Sequence, residues 1–255
     1  MAAINLHSVS VEFPVYNVNA RSLKKEFLRL ATGGTVREDE NHRVIISALN
    51  DISLTISHGD RIGLVGHNGS GKSSFLRLLA SIYEPTRGKI DIQGHISPML
   101  DLMPGIEMEL TGYENIFIRG TLLGLTRTEI NKQTQEIADL TGLGDFLTMP
   151  TRTYSSGMLV RLAFAISSQI KPDILLIDEI FGTGDASFIQ TAKERMINLL
   201  DQSSIVVMAT HSDGLIKEFC NKTLLLEGGS VKYFGDTETA LALYHGEEVL
   251  TETAS

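Results

Sequence analysis

Eight consecutive residues, Gly66-His67-Asn68-Gly69-Ser70-Gly71-Lys72-Ser73, fit the pattern G-x-x-x-x-G-K-[ST] in full. Glycines at these places let the backbone turn successive N–H groups inward, toward one anion. Lys72 adds a mobile positive charge that reaches β- and γ-phosphates, and the Ser73 hydroxyl is a hard oxygen ligand of the kind Mg²⁺ takes. The run Arg61-Ile62-Gly63-Leu64-Val65 before the pattern reads as a short buried strand. Ser73 to Ile82 after it reads as a helix with Phe75, Leu76, Leu78, Leu79 and Ile82 apolar. Strand, glycine turn and helix N-terminus together make a nucleotide-phosphate site. The expected phosphate-binding residues therefore run from Gly66 through Ser73 to Ser74. A glycine-rich turn with a surface lysine is the bland alternative, and the elements on both sides weigh against it.

A second chemical signal is Ile174-Leu175-Leu176-Ile177-Asp178-Glu179, an apolar strand ending in two acids. On its own it is a buried strand with a solvated end. Beside a phosphate loop, Asp178 becomes the acid that holds Mg²⁺ through water, and Glu179 becomes a base for an attacking water. Two adjacent acids with separate tasks fit hydrolysis better than nucleotide storage.

The remaining chain must position these groups. Ile4 to Phe13, Val44 to Leu49 and Ile52 to Ile56 alternate as strands. The stretch 111–170 reads as mostly helical, with helices over Thr111–Leu123, Thr128–Thr141 and Met158–Gln169. Strands at Asp173–Ile177 and Ser204–Ala209 each lead into a helix, over Phe188–Leu200 and Ser212–Cys220, and Thr223–Glu227 and Val231–Phe234 flank the hairpin signal Gly228-Gly229. Leu23, Phe27 and Leu30 with Arg21, Lys24, Lys25 and Arg29 describe a short basic amphipathic helix, either solvated or turned toward a membrane surface or partner.

Composition sets bounds. The 255 residues are 42% hydrophobic and 21% charged, enough apolar material for a sizeable core. A net charge of −9 argues against duplex nucleic acid, where phosphate contacts carry most of the affinity. The one cysteine, Cys220, rules out an internal disulfide and a cysteine zinc cage. The N-terminus carries no basic start or apolar core of a signal peptide, and no apolar run approaches a membrane span. A cytoplasmic protein is expected, with any membrane role supplied by a partner.

The discriminating run is Thr153-Tyr154-Ser155-Ser156-Gly157-Met158, with Arg161 following, just upstream of the acid-tipped strand. It resembles the signature motif of ATP-binding-cassette (ABC) ATPases, in the Tyr-Ser-Ser-Gly-Met form of bacterial polysaccharide exporters for O-antigen, capsule and teichoic acid. Leu110-Thr111-Gly112-Tyr113-Glu114-Asn115-Ile116, Gly184-Asp185-Ala186 and Ala209-Thr210-His211 agree with it, so the resemblance spans about residues 4–243.

The resemblance implies an α/β P-loop NTPase fold of the ABC type: a RecA-like α/β core, an antiparallel β subdomain, and a helical subdomain over about 100–170. The cassette is expected over 1–245, followed by a short acidic tail at 246–255 and no carbohydrate-binding domain. It also implies ATP and Mg²⁺ as ligands and a head-to-tail homodimer, ATP lying between one phosphate loop and Ser155, Ser156 and Gly157 of the other copy. Asp185 resembles the acid that communicates across that seam, and His211 the switch histidine at the γ-phosphate. Phe13 or Tyr16 is expected to stack on adenine. The family's loop glutamine is missing. Asp101, in Met99-Leu100-Asp101-Leu102-Met103-Pro104-Gly105, is the candidate in its place and with it a candidate Mg²⁺ ligand beside Ser73 and Asp178, alongside the reading of an ordinary loop acid.

The Met- and Leu-rich segment 99–118 is either helical-subdomain core or a groove for a cytoplasmic helix of a transmembrane partner of the ABC-2 type. The implied role is hydrolysis driving export of a lipid-linked polysaccharide from the cytoplasmic face of the inner membrane, as a peripheral subunit. Another exported substrate, a non-transport ABC ATPase and a small-molecule kinase or GTPase are the competing classes. Long coiled-coil insertions, tandem cassettes and an Asn-Lys-x-Asp motif, which would favour the last two, are not seen.

Overall fold

The computed structural model describes residues 1–15, 35–38, 44–178 and 186–247. The basic segment Arg21–Leu30, Tyr16, Glu179 and Asp185 lie outside the described residues.

Two sheets organise the chain. The first has four strands in the order β2-β3-β1-β5: β1 (Ala3–Val15), β2 (Thr35–Glu38), β3 (Val44–Ser57) and β5 (Arg87–Gln93). Strand β1 pairs antiparallel with β3 and β5, and β2 pairs antiparallel with β3. Alternation of Ile4 and Leu6 with polar neighbours sends one face of β1 into a core shared with Leu54 and Ile56. The second sheet has six strands in the order β10-β9-β4-β8-β7-β6. These are β4 (Arg61–Val65), β6 (Ile96–Met99), β7 (Ile174–Asp178), β8 (Ile205–Ala209), β9 (Lys222–Glu227) and β10 (Ser230–Gly235). Strand β4 runs parallel to both β8 and β9. A strand buried on both faces reads as an unbroken apolar run, as in Ile205-Val206-Val207-Met208-Ala209, every residue of which is buried.

The chain divides into two compact units: Met1–Ile96 with Leu176–Glu179 and Ser204–Ser255, and Ser97–Leu175 with Ile180–Ser203. In the first, helix α1 (Lys72–Leu79) follows β4 and buries Phe75, Leu76, Leu78 and Leu79. Helix α6 (Asp213–Phe219) follows β8, and α7 (Thr237–His245) follows the β9–β10 hairpin.

The second unit is helical: α2 (Gly112–Leu122), α3 (Arg127–Thr141), α4 (Ser156–Ser167) and α5 (Ala186–Gln202). Helices α2 and α3 each start with a reciprocal capping box, Thr111 with Glu114 and Thr126 with Glu129. Ile116, Ile130, Ile137, Leu147, Leu162 and Ile166 meet in its core. No helix among the described residues is long and apolar enough to cross a membrane.

Several elements differ from the sequence reading, in which strands β2, β5 and β6 have no counterpart. Val44–Leu49 and Ile52–Ile56 form one 14-residue strand. Helix α1 stops at Leu79, with Ser81 at φ 58° turning the chain away before Ile82, which is exposed. Helix α7 was not anticipated from its sequence.

Candidate functional site

The phosphate loop joins β4 to α1. Its glycines are held in left-handed backbone: Gly66 at φ 148°, Gly69 at φ 78° and Gly71 at φ 108°. At Gly71 an added Cβ would lie 2.8 Å from the Ala48 carbonyl and 3.2 Å from Leu49 Cδ2. At Gly66 it would collide with the Leu226 carbonyl and sit 2.5 Å from Ser70 Oγ. Both positions exclude any side chain on conformation and on space. Gly71 caps α1 without a side-chain hydrogen bond. The first-turn N–H groups of α1 point out of its N-terminus, and the helical ladder starts with Phe75 N donating to the Gly71 carbonyl at 2.8 Å. Such a cradle fits an anion.

Within the loop, Lys72 Nζ folds back and donates to the carbonyls of Gly66 (2.6 Å) and His67 (3.3 Å). Ser70 N donates to His67 O at 3.0 Å. Ser70 Oγ is buried and finds no hydrogen-bond partner among the described residues. His67, Asn68 and Gly69 form the exposed rim. The hairpin turn supports the loop from behind: Gly229 N donates to the Ser70 carbonyl at 2.9 Å, and Asn50 Nδ2 donates to the Gly228 carbonyl at 3.1 Å. Sequence reading assigned Gly228-Gly229 only to a turn. At Gly229 a Cβ would meet the Ala48 carbonyl at 2.6 Å, a close approach that no local pattern reveals.

Strand register brings His211 to the same sheet edge. Leu64 pairs with Ala209 in parallel, so Gly66 and His211 each stand two residues beyond that pair on neighbouring strands. His211 is exposed, and Ser212 after it caps α6 by accepting from Leu215 N. Asp178, half-buried, closes β7, the neighbour of β8 on the side away from β4. A hydroxyl at Ser73 and a carboxylate at Asp178 are donors suited to Mg²⁺. No cluster of three or more His, Cys, Asp or Glu occurs among the described residues, so a metal there needs ligand oxygens from elsewhere, such as phosphates. Phe13, half-buried on β1, meets Tyr83 edge-on at 5.0 Å with the planes at 70°, and the Arg77 guanidinium lies 6.0 Å from the Tyr83 ring.

The other predicted residues belong to the second unit. Ser155 is the N-cap of α4, its hydroxyl accepting from Met158 N. Ser156 and Gly157 form the first turn. A Cβ on Gly157 would meet only Ser155 Oγ, at 3.9 Å, so nothing among the described residues demands a glycine there. Tyr154 is buried, and its hydroxyl donates to the Phe146 carbonyl at 2.6 Å. Burial raises its phenol pKa. Asp101 Oδ1 accepts from Met103 N at 3.0 Å.

Sequence reading missed two residues that order this unit's loops. Asn115, fully buried, donates to the carbonyls of Glu107 and Thr111, both at 3.0 Å, and accepts from Glu107 N at 2.7 Å. Arg119, also buried, donates to the carbonyls of Leu102 and Pro104 (the latter at 2.9 Å) and to Ser167 Oγ at 3.1 Å. Burial lowers its pKa to about 10, against the opposing effect of Asp101. An arginine at the apolar spacing of α2, three residues after Ile116, was the available signal.

Comparison with known proteins adds independent findings. Residues 49–182 match the ABC transporter family. The chain is 42% identical to the O-antigen export system ATP-binding protein RfbE of Yersinia enterocolitica, over 91% of this chain and 97% of that protein. It is 38% identical to the O-antigen export system ATP-binding protein RfbB of Myxococcus xanthus, over all of this chain and 58% of that longer protein. Among solved structures, the ATP-binding cassette MJ0796 in a dimeric post-hydrolysis state with ADP and Pi aligns with TM-score 0.67. That alignment is at 19% identity and covers 92% of this chain and 98% of that one. At that identity it shows the fold alone.

Proposed function

Because the chain belongs to the ABC transporter family and has its α/β ATPase fold, we propose that it is the ATP-hydrolysing subunit of an exporter. Its cargo is a lipid-linked polysaccharide of the O-antigen type, moved through a separate transmembrane subunit of the ABC-2 class. The observation that carries the ATPase half is the phosphate loop, with three left-handed glycines opening onto the N-terminus of α1, which no side chain caps. The substrate half is supported by the relatives, two proteins named for O-antigen export at 38–42% identity.

The chemistry divides among named residues. Backbone N–H groups from Gly69 to Ser74 hold the β-phosphate. Lys72 leaves the Gly66 and His67 carbonyls for phosphate oxygens, exchanging neutral hydrogen bonds for charged ones. Ser73 and Asp178 would hold Mg²⁺, and the ion would supply positive charge against that building on the leaving phosphate. Glu179 takes the proton of the attacking water, and His211 contacts the γ-phosphate from the neighbouring strand end. Ser155, Ser156 and Gly157 of a second copy close over the nucleotide, so a monomer turns over slowly. Asp185 lies across that seam, and Phe13 or Tyr16 stacks on adenine. Asp101 takes the place of the loop glutamine.

Coupling to the membrane subunit falls to an exposed apolar set in the second unit, Met103, Met108, Tyr113, Phe117 and Leu122. Its placement is at the cytoplasmic face of the inner membrane, peripheral.

Glu179→Gln tests the reading directly. Affinity for ATP and Mg²⁺ is retained, phosphate release falls by at least about 100-fold as expected for a lost general base, and ATP traps a dimer in sedimentation. Parental turnover by this variant removes Glu179 from the mechanism. Lys72→Ala loses nucleotide affinity, by roughly 10-fold or more for a charged hydrogen bond. Reconstitution with the transmembrane subunit in liposomes, scored with lipid-linked O-antigen and with a teichoic-acid precursor, decides the cargo.

A further inference from the structure

The ring of Tyr244, near the end of α7, lies 5.3 Å from the His67 imidazole at a tilt of 44°. His67 sits between Gly66 and Gly71, and its carbonyl takes both the Ser70 N–H and a hydrogen bond from Lys72. The half-buried Tyr244 also packs against the core cluster of Val65, Ile216, Leu225 and Leu241. Val65 is the residue immediately before the loop, and Ile216 belongs to α6. The next residue, His245, places Nε2 2.6 Å from Asp213 Oδ2. At the other end of α7, Glu238 accepts from Lys217 Nζ at 2.8 Å. Helix α7 is thus fastened at both ends to α6, whose first residue stands two positions after His211.

We infer that Tyr244 is a positioning residue for the nucleotide's phosphates. Its ring holds His67 and with it the opening of the phosphate loop. The His245–Asp213 pair holds the start of α6, and so the turn that carries His211. One helix outside the nucleotide site sets the spacing of two phosphate-contacting segments within it. The physical need is plain: a loop with three glycines has much conformational freedom to lose when it closes on an anion, and a ring clamped from outside removes part of that loss beforehand. The inference rests on the phosphate loop being the ATP site and adds to it a determinant that no loop motif contains.

The test uses the full chain with Mg-ATP and Mg-ADP. Nucleotide affinity is measured by calorimetry and unfolding midpoints in urea, for Tyr244→Leu, Tyr244→Phe, His67→Ala and the Leu/Ala double variant. An aromatic contact of this kind corresponds to about a two- to tenfold change in affinity. Tyr244→Leu and His67→Ala each weaken nucleotide binding by that factor. The double variant binds no more weakly than His67→Ala alone, and Tyr244→Phe, which keeps the ring, restores parental affinity. Asp213→Asn and His245→Gln lower kcat more than they raise KM.

Parental affinity in Tyr244→Leu with a lowered urea midpoint overturns the inference, because a packing role alone moves only stability. Multiplying effects in the double variant overturn it as well. His67→Ala lies on the exposed rim, so its binding result stands even where Tyr244→Leu fails to fold, and parental affinity there also overturns the proposal. Lys72→Ala separates the two levels: retained affinity in that variant removes the ATP site itself, whereas lost affinity there with parental Tyr244→Leu removes only the clamp.

Discussion

Replacing Gly157 by alanine separates folding from catalysis more sharply than any other single change. In the first turn of α4 a new Cβ meets nothing nearer than Ser155 Oγ, at 3.9 Å, among the described residues. Alanine is also the better helix former, so Gly157→Ala stabilises the chain by up to about 1 kcal/mol. Gly71→Ala makes the opposite case. Its backbone at φ 108° costs about 1–3 kcal/mol for a residue with a Cβ. The methyl also lands 2.8 Å from the Ala48 carbonyl, adding overpacking of about 1–3 kcal/mol. If Gly157 of one copy faces the γ-phosphate held by another, its methyl pushes the phosphate off an N–H donor there. Loss of one charged hydrogen bond is about 1.5–3 kcal/mol, or roughly 10- to 100-fold in turnover. The assay pairs urea denaturation with steady-state phosphate release, and sedimentation in Mg-ATP reports the dimer. A more stable chain with turnover down by that factor locates the need for glycine outside its own fold. Gly157→Ala hydrolysing ATP at the parental rate would falsify the shared-site reading.

Two further outcomes are expected from the buried groups. Arg119→Met removes the donors to Leu102, Pro104 and Ser167. Burial lowers the arginine pKa to about 10, which marks a desolvation cost of about 3 kcal/mol that the variant recovers. Three orphaned acceptors at about 2 kcal/mol each, the middle of the usual range, outweigh that recovery, leaving a net loss of about 3 kcal/mol in the urea-derived stability. A midpoint at or above the parent's contradicts the role given to Arg119. Cys220 is pushed by burial from 9.0 up to about 12. Its protonated form is favoured in the native state, so its contribution to stability is complete below about pH 9 and lost as pH rises toward 12. The midpoint should fall less steeply across that range in Cys220→Ala, and a thiol reagent at pH 8 should react with the native protein far more slowly than in urea.

The nucleotide loop was legible because its chemistry is local: glycine spacing, the lysine and the flanking strand and helix all lie within about twenty residues of sequence. What was not legible depends on distant partners. Asn50-Asp51 reads as a break between two strands. In the fold, Asp51 takes φ 47° and donates its N–H to Ser10 Oγ at 3.0 Å, while Asn50 bonds the β9–β10 turn, so β3 continues through the irregularity. Strand β5 alternates only over Lys89–Gln93, too short a run to stand out, with Ile90 and Ile92 half-buried and its other residues exposed. Helix α7 carried a start signal, Asp236 with Thr239 three residues on, and a stop at Gly246; the Asp236 side chain indeed accepts from Thr239 N. Its apolar positions, however, match only a core that forms when Leu225 and Ile216 arrive from elsewhere.

The same distinction explains which glycines could be understood before the fold was known. Gly66, Gly71 and Gly229 each combine a left-handed backbone with a carbonyl brought from elsewhere in the chain, Leu226 for Gly66 and Ala48 for the other two. The loop pattern and the hairpin signal encode the backbone conformation, and the fold adds the crowding. Among the described residues Gly157 is dictated by neither: like Gly214 in the first turn of α6, it stands at an unstrained helical position where a Cβ meets only a serine hydroxyl. Such a glycine gives up helix stability for nothing those residues require, and at Gly157 the proposed shared nucleotide site would supply the reason. That makes Gly157→Ala a sharper test of how this ATPase assembles than a change at a crowded glycine.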